Sequence, residues 1–68
     1  MDRVELRRGA AGARVAELHD RLAELGFAAA DAPESYGDAT AATVEAFQRS
    51  RGLAITGVVD ATTWQRLV

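Results

Sequence analysis

The chain has 68 residues, a formal net charge of −2 and no cysteine. A chain of this length forms a single domain with a small core, because it buries only about 60% of the surface that its unfolded state exposes. Ten acidic residues outnumber eight arginines. This balance argues against nucleic acid as a partner, which requires a concentrated positive surface. Without cysteine, disulfides and thiolate metal sites are excluded.

The amino-terminal segment combines several arginines with few apolar residues, a pattern that is typical of a solvated segment. These arginines are Arg3, Arg7, Arg8 and Arg14. The charged start of the chain does not resemble a signal peptide, and no run reaches the roughly 18 apolar residues of a membrane span. We expect the chain to be part of a longer protein.

The first helix is predicted over residues 13–25. Four apolar residues recur there at helical spacing and share one face: Val15, Leu18, Leu22 and Leu25. On the solvent side, Glu17 and Arg21 are spaced for an ion pair. Gly26 supplies the left-handed residue that ends such a helix, and Phe27 follows where it can fold back onto Leu22.

The second helix is predicted over residues 38–51, after a loop at residues 28–35 that holds the only proline. Glu45 and Arg49 are spaced to pair on its outer side. Gly52 and Leu53 repeat the closing pattern of the first helix. Four residues at helical spacing face inward: Thr40, Ala41, Val44 and Phe47.

The third helix is predicted over residues 61–67, with Asp60 as the residue that caps its first amide groups. Residues 55–59 contain a turn at Thr56-Gly57 and are too short to build a sheet. The sequence therefore predicts an all-α fold, a small three-helix bundle with ordered loops, formed by residues 1–68 as one domain. The predicted core residues are Val15, Leu18, Leu22, Leu25, Phe27, Val44, Phe47, Leu53, Ile55, Val59, Trp64 and Leu67.

Two helix starts share a pattern in which a flexible or capping residue precedes a threonine by three positions. Gly37 precedes Thr40 in this way, and Asp60 precedes Thr63. A threonine at the third helical position can return a hydrogen bond to the backbone of the capping residue. The repeat thus predicts two helix starts docked against one core.

The residues in order resemble the peptidoglycan-binding-domain-like module of bacterial cell-wall hydrolases. The resemblance is carried by LRRGAAGARVAELHDRLAELGF and YGDATAATVEAFQRSRGLAITGVVDATTW, which together cover nearly the whole chain. The chain departs from the family pattern at His19, which replaces a glutamine, and at Pro33-Glu34, which replaces an Asp-Gly turn. Further departures are Thr43, Thr56 and Asp60.

The resemblance implies a non-catalytic module that binds peptidoglycan and tethers a linked hydrolase, such as an N-acetylmuramoyl-L-alanine amidase, to its substrate. It implies the glycan or the stem peptide as ligand, a catalytic domain elsewhere in the parent chain, no cofactor and a monomeric state. It also implies a location in the bacterial cell envelope or the extracellular space, and a cytoplasmic location stays an alternative.

A shallow groove is predicted around the second helix, because sugars and short peptides need hydrogen-bonding groups beside an apolar face. The predicted ligand-binding residues are Tyr36, Thr40, Gln48, Arg49 and Arg51. The alternative for Tyr36 and for Trp64 is a place in the core, which is preferred for Trp64. A half-buried Gln48 would most simply bond the backbone of a loop. A single histidine and no marked carboxylate pair argue against a metal site and against intrinsic catalysis.

Two other functions stay open at this point. One is an interaction or propeptide module that docks on a protein partner or on its own enzyme. The other is a helix-turn-helix DNA-binding protein, which needs a shorter turn than the one at residues 28–35.

Overall fold

The computed structural model describes residues 5–67 and contains three helices in that range: α1 (Ala13–Glu24), α2 (Asp38–Ser50) and α3 (Ala61–Leu67). The predicted helices agree with these bounds to within one residue, and the all-α three-helix fold is confirmed. Every helix in this range is too short and too polar to span a bilayer.

Both longer helices end with the same backbone hydrogen bonds. After α1, Gly26 has a φ of +92°, and the amide of Phe27 donates to the carbonyl of Leu22 at 2.7 Å. After α2, the amide of Leu53 donates to the carbonyl of Gln48 at 2.9 Å. These are the six-to-one bonds of a Schellman closure, so the predicted closing pattern is confirmed.

The core is a cluster of buried apolar side chains contributed by all three helices and by the loops. Its members are Leu6, Val15, Leu18, Leu22, Tyr36, Ala41, Val44, Phe47, Val59 and Leu67. Phe27 and Trp64 are half-buried and pack against this cluster. Most of the predicted core is therefore confirmed, and so is the alternative of a core position for Tyr36. Leu6 is an addition that the sequence pattern did not indicate.

Three predicted core residues lie outside this cluster: Leu25, Ile55 and the half-buried Leu53. Leu25 is 39% exposed and Ile55 is 47% exposed. Leu25 follows the last residue of α1, and Phe27 covers that end of the core instead. The rings of Phe27 and Phe47 pack edge to face, with 5.7 Å between their centroids. Ile55 precedes a loop whose amides, at Thr56 and Gly57, donate hydrogen bonds to Gln48 of α2. The backbone is thus turned toward α2, and the isoleucine side chain stays outside.

The amino-terminal segment is paired with both long loops through its backbone. Leu6 and Val59 exchange two backbone hydrogen bonds of 3.0 and 2.8 Å. The amide of Gly9 donates to the carbonyl of Tyr36, whose own amide donates to the carbonyl of Ala10. The side chains of Arg7 and Arg8 are solvated, as predicted, while their backbone runs along the folded domain.

The predicted pairing of Glu17 with Arg21 on α1 is wrong. Arg14 pairs with Glu17 at 3.0 Å, and Arg21 pairs with Glu24 at 3.4 Å. Both pairs are about half exposed and contribute little to stability, on the order of 0.3–0.5 kcal/mol each.

Candidate functional site

The start of α2 is held by a carboxylate from the preceding loop. The Asp31 Oδ2 atom accepts hydrogen bonds from the amide of Gly37 at 2.9 Å and from the amide and the hydroxyl of Thr40, each at 2.8 Å. The prediction that the Thr40 hydroxyl bonds the backbone of Gly37 is therefore wrong. Asp31 already satisfies that amide, and the sequence pattern gave no role to this residue.

The hydroxyl of Thr40 also contacts His19 on α1, with 3.0 Å between Oγ1 and Nε2. A hydroxyl has a single hydrogen to donate. Because that hydrogen goes to Asp31, the histidine donates from Nε2 to Thr40. The side chain of Thr40 is fully buried.

Gln48 binds the loop between α2 and α3 with both ends of its amide group. Its Oε1 atom accepts from the amides of Thr56 at 3.0 Å and Gly57 at 3.1 Å. Its Nε2 atom donates to the carbonyl of Val58 at 3.0 Å and to the hydroxyl of Thr63 at 3.1 Å. The side chain is buried, which matches the interpretation that it satisfies a loop backbone.

Asp60 caps α3 as predicted, because its carboxylate accepts from the amide of Thr63 at 2.9 Å. That hydrogen bond is the main cause that lowers the pKa of Asp60 from its ordinary value of 3.8. Hydrogen bonds from the backbone and the side chain of Thr40 lower the pKa of Asp31 in the same way. Both helix starts are therefore capped by an aspartate that bonds a threonine. Asp31 lies nine residues before Thr40, and Asp60 lies three residues before Thr63.

Tyr36 is also buried, and its hydroxyl donates to the carbonyl of Gly57. Burial, and after it the negative charge of Glu45, raises the pKa of Tyr36 to about 12. Tyr36 and Gln48 thus hold the loop at residues 56–58 from the inside of the domain.

On the outer side of this loop lies a cleft of about 190 Å³, called here the arginine cleft. It is lined by Arg7, Arg8, Ala41, Glu45, Thr56, Gly57 and Val58. This volume is below the about 300–1,000 Å³ of pockets for drug-sized ligands, so the cleft suits a small group at the surface. The sequence pattern did not indicate it, because its two arginines lie far along the chain from its other residues.

The guanidinium groups of the arginine cleft have weak partners. Arg8 pairs with Asp38 at 3.0 Å and Arg7 pairs with Glu5 at 2.9 Å. Both pairs are largely exposed, and exposed pairs contribute about 0–1 kcal/mol. A ligand carboxylate can therefore replace Asp38 or Glu5 at little cost.

The carboxylate of the arginine cleft belongs to Glu45. The predicted pair of Glu45 with Arg49 is wrong, since no cation of residues 5–67 lies within 4.0 Å of this carboxylate. A Cβ atom at Gly57 would come within 3.0 Å of Glu45 Oε2, so the glutamate lies directly against the loop. A residue other than glycine at position 57 would displace the carboxylate.

Among the five predicted ligand-binding residues, Tyr36, Thr40 and Gln48 are buried, with at most 2% of each exposed. Arg49 and Arg51 are exposed, and the Arg51 guanidinium lies 4.9 Å from the centre of the Phe47 ring. The structure does not bring the five together on one open surface. Two of the buried residues instead support the loop that lines the arginine cleft.

Between residues 5 and 67, every buried side-chain nitrogen or oxygen has a hydrogen-bond partner. In the same range, no three His, Asp or Glu side chains form a group that could hold a metal ion. What the cleft offers is a set of exposed charges on a fixed backbone.

Residues 11–67 match the family described as "Putative peptidoglycan binding domain". The SleB N-terminal domain has a similar structure, with a TM-score of 0.88 and 34% identity over 94% of this chain and 88% of that one. An L,D-transpeptidase from Xylanimonas cellulosilytica is 40% identical over 91% of this chain and 30% of its own, with a TM-score of 0.84. The endolysin of Burkholderia phage AP3 is 37% identical over 94% of this chain and 24% of its own, with a TM-score of 0.84. No curated protein matches the chain significantly.

Proposed function

Because this chain belongs to the peptidoglycan-binding domain family, we propose that it tethers a linked cell-wall enzyme to peptidoglycan. The domain itself is a binding module, and its family indicates a cell-wall or envelope context. The enzyme would be an amidase or another hydrolase elsewhere in the parent chain. The module would act as one monomeric domain that includes residues 1–68.

The size relation to similar structures supports a linked enzyme. This chain spans 30% of the transpeptidase structure and 24% of the endolysin structure. In both cases a domain of this type is a minor part of a longer protein whose name describes an enzyme. Even weak binding by such a domain raises the effective concentration of substrate for the linked enzyme.

We assign the ligand contacts to the arginine cleft. The five predicted ligand-binding residues then have different roles, either supporting the cleft or contacting the ligand. Tyr36 and Gln48 hold the loop that forms one wall, and Thr40 fixes the start of α2. Arg49 lies one helical turn beyond Glu45 and extends the same face toward a longer ligand. Arg51 is assigned a contact outside the cleft, beside Phe47.

The single observation that carries this proposal is the match of residues 11–67 to the family. The test is co-sedimentation of the purified chain with insoluble peptidoglycan at low salt, together with an assay for soluble products. We expect the chain in the pellet and no release of fragments. A chain that stays in the supernatant would contradict the tether.

Variants connect this test to the arginine cleft. Replacing Arg7 and Arg8 together by glutamine should reduce the sedimented fraction, because the variant loses both positive charges of the cleft. The matched control is Arg14→Gln, which removes an exposed arginine that lies outside the cleft. An equal loss in both variants would show a general charge effect instead of a site.

A further inference from the structure

The arginine cleft carries charges of both signs. Arg7 and Arg8 come from the amino-terminal segment, and Glu45 comes from α2. The negative charge of Glu45 raises the pKa of Tyr36, and the positive charge of Arg8 lowers it. Both charges therefore act on the same buried phenol. Within residues 5–67 the Glu45 carboxylate has no cation within 4.0 Å to neutralise it.

These charges discriminate between the chemical groups of peptidoglycan. A neutral sugar has no charge to match either sign. A ligand that is only anionic is attracted by the two arginines but opposed by Glu45, and one that is only cationic is attracted by Glu45 but opposed by the two arginines. A group with a carboxylate and an ammonium meets a partner for each charge.

We propose that the arginine cleft binds the zwitterionic end of a stem peptide, with a free terminal carboxylate on Arg7 and Arg8 and the primary ammonium of a diamino acid side chain on Glu45. This inference rests on the proposed function and specifies which part of the polymer is read. The small volume of the cleft fits the end of a peptide better than a glycan strand.

The cost of the exchange is low. Arg7 and Arg8 leave exposed partners, Glu5 and Asp38, and those acids return to water. Glu45 has no ion pair within residues 5–67 that the ligand would have to break. The loop wall does not need to move, because Gln48 already fixes the amides of Thr56 and Gly57.

The probe is a synthetic stem tripeptide ending in lysine, acetylated at its amino end and amidated at its internal carboxylate. Its only charges are then the terminal carboxylate and the side-chain ammonium. Two further peptides have either the ammonium acetylated or the terminal carboxylate amidated. Chemical-shift titration of the labelled chain gives Kd for each peptide and maps the contacts.

We expect the doubly charged peptide to shift the amides of Thr56, Gly57 and Val58 and to bind about three- to fivefold more tightly than either blocked peptide. That factor is the size expected from one partly exposed ion pair. Equal affinities for the three peptides, or shifts that map away from the arginine cleft, would overturn the inference.

Two variants separate the charges. Glu45→Gln should remove the preference for the free ammonium and keep the preference for the free carboxylate. Replacing Arg7 and Arg8 together by glutamine should do the reverse. Glu17→Gln, on the exposed side of α1, is the matched control and should keep both preferences. Variants that lose both preferences together would overturn the assignment of charges.

The outcomes distinguish this inference from the tether. A chain that sediments with peptidoglycan but ignores the peptide charges retains the tether and loses the peptide-end site. A chain that does not sediment contradicts the tether itself.

Discussion

The Asp31 carboxylate lies in the loop that leads into α2, 2.8 Å from the hydroxyl of Thr40 in the first turn of that helix. Because Asp31 also accepts the amides of Gly37 and Thr40, one carboxylate satisfies two of the backbone groups that a helix start leaves without partners. His19 bonds the same hydroxyl from α1. This pair therefore joins the first helix, the loop and the second helix at one buried point.

Thr40→Val should lower the free energy of unfolding by about 1–3 kcal/mol, since it keeps the shape but removes the buried hydroxyl that joins Asp31 to His19. Thr62→Val is the control, because Thr62 has the same β-branched shape and is exposed on α3. Urea unfolding followed by circular dichroism measures both. Equal effects of the two substitutions would contradict a special role for the Thr40 hydroxyl.

Acid should destabilise the domain through the two capping aspartates. Because folding lowers the pKa of Asp31 and of Asp60 below 3.8, their contribution is complete above that value and is lost as pH falls through the lowered values. Thermal unfolding from about pH 7 to about pH 2 measures this. Replacing both by asparagine should flatten the acid limb of the curve, and Asp20→Asn, at an exposed position, should leave it unchanged.

Tyr36 is the only tyrosine, so its ionisation can be followed by ultraviolet absorbance without interference from another phenol. We expect a midpoint at about 12 in the folded chain, above the ordinary pKa of 10.0. Because folding raises this pKa, the contribution of the buried phenol to the stability of the fold should be complete below pH 10.0. It should be lost as pH rises toward 12. A midpoint near 10.0 in the folded chain would contradict the burial of the phenol.

Gln48→Leu should weaken the loop that forms one wall of the arginine cleft. The substitution leaves the amides of Thr56 and Gly57 without their acceptor, at a cost of about 1–3 kcal/mol for the buried amide of Gly57. Hydrogen exchange should quicken most at these two amides, and sedimentation with peptidoglycan should fall. Gln65→Leu, at an exposed glutamine of α3, serves as control. Unchanged exchange at Thr56 and Gly57 would contradict this account.

Two leucines of the first helical pattern should respond differently to truncation. Leu18→Ala removes a fully buried side chain and should cost about 2–5 kcal/mol. Leu25→Ala removes one that is 39% exposed and should cost about 1 kcal/mol or less. Denaturant unfolding distinguishes them, and similar costs would place Leu25 in the core after all.

The helices and their ends were predictable because the interactions that specify them are local. The apolar spacing of Val15, Leu18 and Leu22 sets the buried face of α1 within a few turns. The bonds that close α1 at Gly26 and Phe27 reach back only a few residues. Asp60 bonds the amide of Thr63 three positions later, which also makes this cap visible in the sequence.

The candidate site was not predictable in the same way. Tyr36, Thr40 and Gln48 were recognised as polar residues of interest, but their direction depends on loops whose paths are determined by packing. The sequence pattern suggested that these side chains face a ligand, and the structure turns them toward the chain itself.

Residue spacing alone therefore determined three helices, their closing glycines and most of one apolar centre, since each depends on neighbours within about two turns. Only the tertiary structure decided that Asp31 caps a distant helix and that Leu6 pairs with Val59. It also decided that two early arginines meet Glu45 in a cleft. Those contacts join segments far apart in the chain, and their geometry exists only once the core has brought the loops together.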